Sequence, residues 1–415
     1  MNAPGRLQRR LGVRDAVVIG AGSMIGAGVF TAWAPAAEAA GTGLLVGLAI
    51  ASLVAFCNAT SSAQLAALHP ESGGTYVYGR RQLSHAWGHV AGWGFVVGKT
   101  ASCTAMALTV GAYLWPEQER AVAIVAVIAI TAVNIGGLSR TVAVTRVLLV
   151  ISLAALAAVV AAGWSSGEAD LGRITPIDAG PYDILRSAGF MFFAFAGYAR
   201  IATLGEEVRD PATTIPKAIP RALFAVLAIY AIVGVTALST VDAAALAATD
   251  APLRLVVAAG SLDLDGVVRV GAGIAALGVL LNLIPGVSRT TLAMARNREL
   301  PYWLAHIDGR RSLPLRAEVT VAAVVIALVA VVELRSAIAI SGVAVLSYYA
   351  ITNAAALTLD EQQRRRPRAI AAVGLVGCVA LIGSLPVAAI ATGTSMLAIG
   401  LGVRAITTRR AADST

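Results

Sequence analysis

The stretch AVVIGAGSMIGAGVF, residues 16–30, carries glycines at spacings that suit phosphate chemistry. Gly20-x-Gly22 after Val17, Val18 and Ile19 reads as a strand-to-helix turn around a pyrophosphate, with Glu38 near the distance of a ribose ligand. Other reactive side chains are sparse. His69, His85, His89 and His306 occur singly, without HExxH or another metal-ligand spacing. Cys57, Cys103 and Cys378 lie in separate apolar runs with no CxxC pair, which points to packing residues and not to a disulfide framework or a metal site. Lys99, in GWGFVVGKTASCTAM, is the only lysine inside an apolar run. An ammonium at that depth costs several kcal/mol unless it is paired, hydrated or deprotonated.

The elements that position these residues are set by composition. The chain is 58% hydrophobic and 13% charged, with a mean hydropathy of +0.78, too little polar surface for a soluble 415-residue globule. Its solvent is lipid. A span needs roughly 20 apolar residues, and twelve runs qualify: 13–40, 43–66, 87–114, 121–137, 142–163, 184–204, 218–240, 266–288, 317–333, 336–358, 369–385 and 387–404. They lack the alternation of a barrel, so the fold class is an all-α integral membrane protein. The last two, parted by Ser384-Leu385-Pro386, admit a single re-entrant segment as the alternative.

In this setting the dinucleotide reading fails, because the turn lies inside a spanning run and no alternating strands and helices follow. No cofactor is expected. A membrane-embedded enzyme would need a polar catalytic set within the spans, and the histidines fall in or beside connections. A channel would show a repeated pore segment or a charged ring, and neither is present.

Cations set the orientation. With the N-terminus inside, 23 of the 32 Lys and Arg residues fall in cytoplasmic segments and six outside. The net charge of +9 is then a topology signal with attraction to anionic membrane lipids, and nucleic acid is not a partner. The first run has a basic flank but no cleavage pattern and exceeds signal-peptide length, so it reads as a retained span. Both termini are expected in the cytoplasm and the protein in the cell membrane, as monomer or homodimer.

A spanning helix gives up its internal hydrogen bonds only where the freed groups face protein, water or a ligand. Gly20, Gly22, Gly26 and Gly28 mark such a place, unless they form a small-residue seam for a neighbouring helix. Two half-helices meeting there present free amides and free carbonyls, which suit a carboxylate and an ammonium. A second interruption, Phe-Ala-Phe-Ala-Gly at 193–197, lies in the sixth run. One break in the first run and one in the sixth is the mark of a five-plus-five inverted repeat.

GSMIGAGVF (22–30), FFAFAGY (192–198), GEEVRDPATTIPKAI (205–219) and SRTTLAMARNRELP (288–301) together resemble the amino acid–polyamine–organocation permeases. ESGGTYVYGRR (71–81) and GWGF (92–95) match less specifically. The resemblance implies a LeuT-type fold with discontinuous helices 1 and 6, about twelve transmembrane helices, and secondary active transport by alternating access. It divides the chain into a tail (1–12), two five-helix repeats (13–163 and 184–358), two added helices (369–404) and a second tail (405–415). It places an amino acid substrate with its carboxylate on the amides around Gly26, Ala27 and Gly28, beside Ser23. The carbonyls of Met24 and of the segment Phe193–Ala196–Gly197 take the ammonium, and Phe193 lies as a lid or packs in the bundle.

Departures from the family bear on coupling, with H⁺ favoured and Na⁺ symport or exchange the alternatives, and a polyamine or other small organic amine is the alternative substrate. Ser152 stands where many proton-coupled members carry a lysine. Lys99 is read as its replacement, titrating or steadying the unwound first helix, against the alternative of a side chain reaching to the cytoplasmic edge. Arg200 stands where members often have an acid, which weakens the case for a cationic substrate, and it is read as pairing with Glu206 or Glu207. These two, with Arg209 and Asp210, cap and pin a cytoplasmic helix or act as a gate. Asn282 completes an ion or substrate shell or makes an interhelical hydrogen bond, and Arg146 snorkels.

Overall fold

The computed structural model describes residues 11–69, 73–136, 142–167, 169–198, 201, 208–308 and 313–412. All twelve apolar runs contain helix. The first is broken into α1 (Val13–Met24), α2 (Ala27–Thr31) and α3 (Trp33–Ala40). Then follow α4 (Leu44–Leu68), the short α5 (Thr75–Gln82), α6 (His85–Leu114), α7 (Glu119–Ile135) and α8 (Val142–Ser165). The second half holds α9 (Pro181–Phe195), α10 (Pro211–Thr240), the short α11 (Ala243–Ala247) and α12 (Pro252–Ala258), α13 (Asp265–Arg296), α14 (Leu315–Val331) and α15 (Leu334–Leu357). Last come α16 (Arg368–Ser384) and α17 (Val387–Ala412), two separate helices joined through Leu385-Pro386. Nine helical runs among the described residues are long and apolar enough to cross a bilayer, one of them uniting α3 with α4.

Three boundaries move from the sequence reading, each for a local reason. The run at 87 starts at His85, because the Ser84 side chain accepts a hydrogen bond from the Trp87 amide. The run at 218 starts at Pro211, a first-turn proline, after Asp210 in a left-handed conformation (φ 48°). The run at 266–288 continues to Arg296, because backbone pairing persists after apolarity ends.

The two broken runs begin alike. The amide of Gly12 donates to Asp15 Oδ2 (3.1 Å), and that of Gly180 to Asp183 Oδ2 (3.2 Å). Packing repeats the correspondence. The first helix of each half lies on the second of the other, α1 on α10 and α9 on α4, and the third on the other's fifth, α6 on α15 and α13 on α8. Five helical runs long and apolar enough to cross a bilayer precede α9 among the described residues. Most of the core is a cluster of Ala, Val, Leu and aromatic side chains around α6, whose stretch from Gly98 to Tyr113 is buried throughout, and a smaller cluster gathers Tyr76, Met294, Leu300 and Leu304. Val125, Val150, Phe224 and Val376 face outward, as lipid permits.

The added helix α16 is tied in by polar contacts. Asn353 Nδ2 on α15 donates to Asn58 Oδ1 on α4 (2.6 Å), and Cys378 Sγ on α16 donates to the same oxygen (3.3 Å). Cys378 is therefore more than an apolar filler, although all three cysteines are buried and free.

Candidate functional site

The first break lies where the glycines cluster. Ile25 N still reaches Ala21 O (2.7 Å), but Gly26 N turns back to Met24 O (2.9 Å), and α2 restarts at Ala27. Gly26 caps α2 with no side-chain hydrogen bond, so the first amides of α2 receive no side-chain cap. Across from it, α9 tightens into a 3₁₀ turn at Ala196–Tyr198.

The two segments touch closely. A Cβ on Gly28 would lie 2.6 Å from Ala194 Cα, and one on Gly197 would lie 2.0 Å from Ser23 O. Only glycine fits where backbone meets backbone at such distances.

The interrupted carbonyls are held by long side chains from other helices. Tyr230 OH on α10 lies within hydrogen-bond reach of both Met24 O (2.8 Å) and Ala194 O (3.0 Å), bridging the two breaks. Lys99 Nζ donates to Ala196 O (3.0 Å), which also lies 3.4 Å from Tyr349 OH. Tyr113 OH donates to Phe30 O at the end of α2 (2.6 Å). These carbonyls are acceptors near the middle of the bundle, and Lys99 brings a cationic group to one of them.

The structure corrects two of the readings of Lys99. Its side chain is 5% exposed and does not reach the membrane edge, and its hydrogen bond goes to the sixth run, not to the first helix. Ser23 Oγ bonds back to Ile19 O (2.8 Å) on its own helix. Phe193 is buried in the bundle. Ser152 and Asn282 come together with Gly22 and Ile25 around a cavity of about 10 Å³, room for about one water-sized species. Within it Asn282 Nδ2 donates to Gly278 O on its own helix (2.9 Å), in place of the expected interhelical bond. Arg146 pairs with Asp15 instead of simply snorkelling. Arg200, Glu206 and Glu207 lie outside the described residues. Asp210 accepts from Thr213 Oγ1 (2.6 Å), and Arg209 N donates to Leu11 O (2.9 Å), so this segment holds the residues just before α1.

Tyr113, Tyr230 and Tyr349 stand out only in the structure. In the sequence they are phenols in apolar runs, Tyr349 directly after Tyr348, and the available signal is that a buried hydroxyl needs a partner.

Each face of the bundle carries a charged clasp. On one face, Arg335 at the start of α15 bonds Glu38 of α3, Asp250 (3.4 Å) and the carbonyl of Ala247. It borders an open vestibule of about 670 Å³. On the opposite face Arg80 donates to Glu299 Oε1 (2.8 Å) and to Tyr76 OH (2.8 Å), and His89 Nδ1 stands 3.5 Å from Glu299 Oε2. Burial first, and then the Glu299 carboxylate, push the Tyr76 phenol up to about 12, so it stays neutral within this cluster.

The chain matches the amino acid permease family over residues 11–404. An uncharacterized transporter of Mycobacterium tuberculosis is 56% identical over 413 residues, covering 98% of this chain and 94% of that protein. The branched-chain amino acid permease BcaP of Bacillus subtilis is 24% identical over 405 residues, covering 89% and 84%. The chloroplastic cationic amino acid transporter 7 of Arabidopsis thaliana is 24% identical over 345 residues, covering 75% and 59%. A likeness that runs nearly end to end, through both broken segments, makes this chain a member of the amino acid permease family: a multi-pass membrane transporter of amino acids.

Proposed function

We propose that the protein is a secondary active transporter that takes a neutral amino acid across the cytoplasmic membrane by alternating access within a LeuT-type fold, in symport with a proton. Both termini lie in the cytoplasm, by the distribution of cations. The observation that carries the reading is the ammonium of Lys99 resting on Ala196 O, at the second break. A substrate ammonium seeking Met24 O and Ala196 O meets a like charge already there. Its carboxylate has the amides at Ala27 and Gly28. Binding therefore favours release of the Lys99 proton or withdrawal of its side chain, which links substrate to proton. Ala27 and Ala196 present only methyl groups beside the breaks, which favours a small to medium neutral side chain. A branched-chain permease among the relatives agrees with this.

Sodium is the second reading, favoured by the Ser152–Asn282 cavity beside the first break. Uptake of labelled amino acids into liposomes under separately imposed proton and sodium gradients distinguishes the two. Accumulation of a neutral amino acid under a proton gradient alone is expected. No movement of any amino acid under either gradient overturns the proposal.

Alternating access requires each clasp to release in turn. Ala36, two residues before Glu38 on α3, is fully buried. In an Ala36→Cys protein, adding Arg335→Gln is expected to speed labelling by a membrane-impermeant thiol reagent at least threefold. The native cysteines, all buried, give a low background.

A further inference from the structure

A cavity of about 150 Å³ opens between α4, the start of α10 and the turn before α16. Its apolar wall includes Phe56, Ala59, Ala63 and Ile219, and its rim includes Arg365 and Arg366. Phe56 is 41% exposed, and Phe224, further along α10, is 74% exposed, so the groove opens toward the hydrocarbon of the bilayer. From Gln64 at the rim to Phe56 is eight residues of helix, roughly 12 Å of depth.

Two prolines shape the polar end. Pro216 has no N–H, so Ala212 O loses its donor within α10, and Arg365 Nη1 supplies one (2.8 Å). Pro220 leaves the carbonyl of Pro216 without its donor in the same way. The backbone amide of Arg365 donates to Gln64 Oε1 (3.4 Å), which ties the turn to α4.

The turn has cations to spare. Asp360 accepts the amides of Gln362 and Gln363, and the strongly exposed Glu361 stands 3.8 Å from Arg364. Arg365 has one nitrogen engaged, and Arg366 is exposed with no hydrogen bond or ion pair among the described residues. Lys217 and Arg221 add charge on α10.

We propose that this groove binds one anionic phospholipid, its phosphate gripped by Arg365 and Arg366 and an acyl chain laid along Phe56, Ala59 and Ile219. Guanidinium forks match phosphate oxygens. A free anion would gain nothing from an apolar channel that opens to lipid, and the chain's own basic N-terminal residues are repelled by like charge. The proposal goes beyond the transport reading and does not depend on which amino acid is carried.

The test is native mass spectrometry of the full-length protein in mild detergent. Phosphatidylglycerol, phosphatidylcholine with the same acyl chains, and inorganic phosphate are added separately. One phosphatidylglycerol retained at least fivefold over phosphatidylcholine is expected, with the preference lost in Arg365→Ala/Arg366→Ala and kept in Arg404→Ala. Should the double variant fail to fold, Arg366→Gln, which has no protein bond to lose, is expected to lower retention at least threefold. Equal retention of the two lipids, a preference that survives these substitutions, or displacement of the lipid by inorganic phosphate overturns the site.

Discussion

Lys99→Met is expected to lower proton-driven accumulation of substrate at least tenfold and to flatten the pH dependence of uptake, while the protein still folds. Methionine keeps the length and apolar stem of lysine but removes the ammonium from Ala196 O. That carbonyl retains Tyr349 OH at 3.4 Å, and the surrounding core is continuous, so the loss of fold stability is modest. Removing a single hydrogen bond of this kind in a membrane bundle costs about 0.6–2 kcal/mol. A purely structural lysine would give the opposite pattern, a lower melting temperature with an unchanged pH profile. The deciding measurement is uptake into liposomes across a range of external pH at fixed proton gradient. Full accumulation with an unaltered pH profile would sink the coupling role of Lys99.

Gly28→Ala is expected to abolish transport by a different route. The added methyl carbon would stand 2.6 Å from Ala194 Cα and 3.0 Å from Ala194 Cβ, and a backbone atom cannot step aside as a side chain tip can. Overpacking of this kind costs about 1–3 kcal/mol, and the strain falls on the contact between the two broken runs. Uptake at least tenfold lower, with a melting temperature reduced by several degrees, is the expected result. Gly286→Ala is the matched control. Its Cβ would point into open space on α13, and the gain in helix propensity, about 1 kcal/mol, leaves stability equal or higher. Equal activity in the two variants would show that the breaks do not need to meet so closely.

The sequence made the lipid-spanning architecture readable because apolar length is a one-dimensional property. The positions of the breaks were readable too, since glycines inside an apolar run, and Phe-Ala-Phe-Ala-Gly in the sixth, need no neighbour to be noticed. What the runs could not convey is which side chain meets which carbonyl. Every acceptor at the site is a main-chain oxygen, and a main-chain oxygen leaves no letter in a sequence. Lys99 was visible as an anomaly, but its destination in the sixth run was not. Tyr230 was not visible at all, although it touches both breaks. Asn282 illustrates the same limit, since its amide closes on its own helix at Gly278 and not on a neighbour. The end of α13 at Arg296 was hidden for another reason: hydropathy reports where lipid ends, and a helix has no obligation to end there.

The shared Gly-x-x-Asp start of α1 and α9 has a wider consequence. If each half can adopt the posture of the other, the molecule reaches its reversed form by trading roles, without inventing new interfaces. Contacts given up by one half are then regained by its twin, and the two openings lie close in free energy. In that case a small bias, such as one bound solute or one ion, would be enough to tip the molecule from one side to the other.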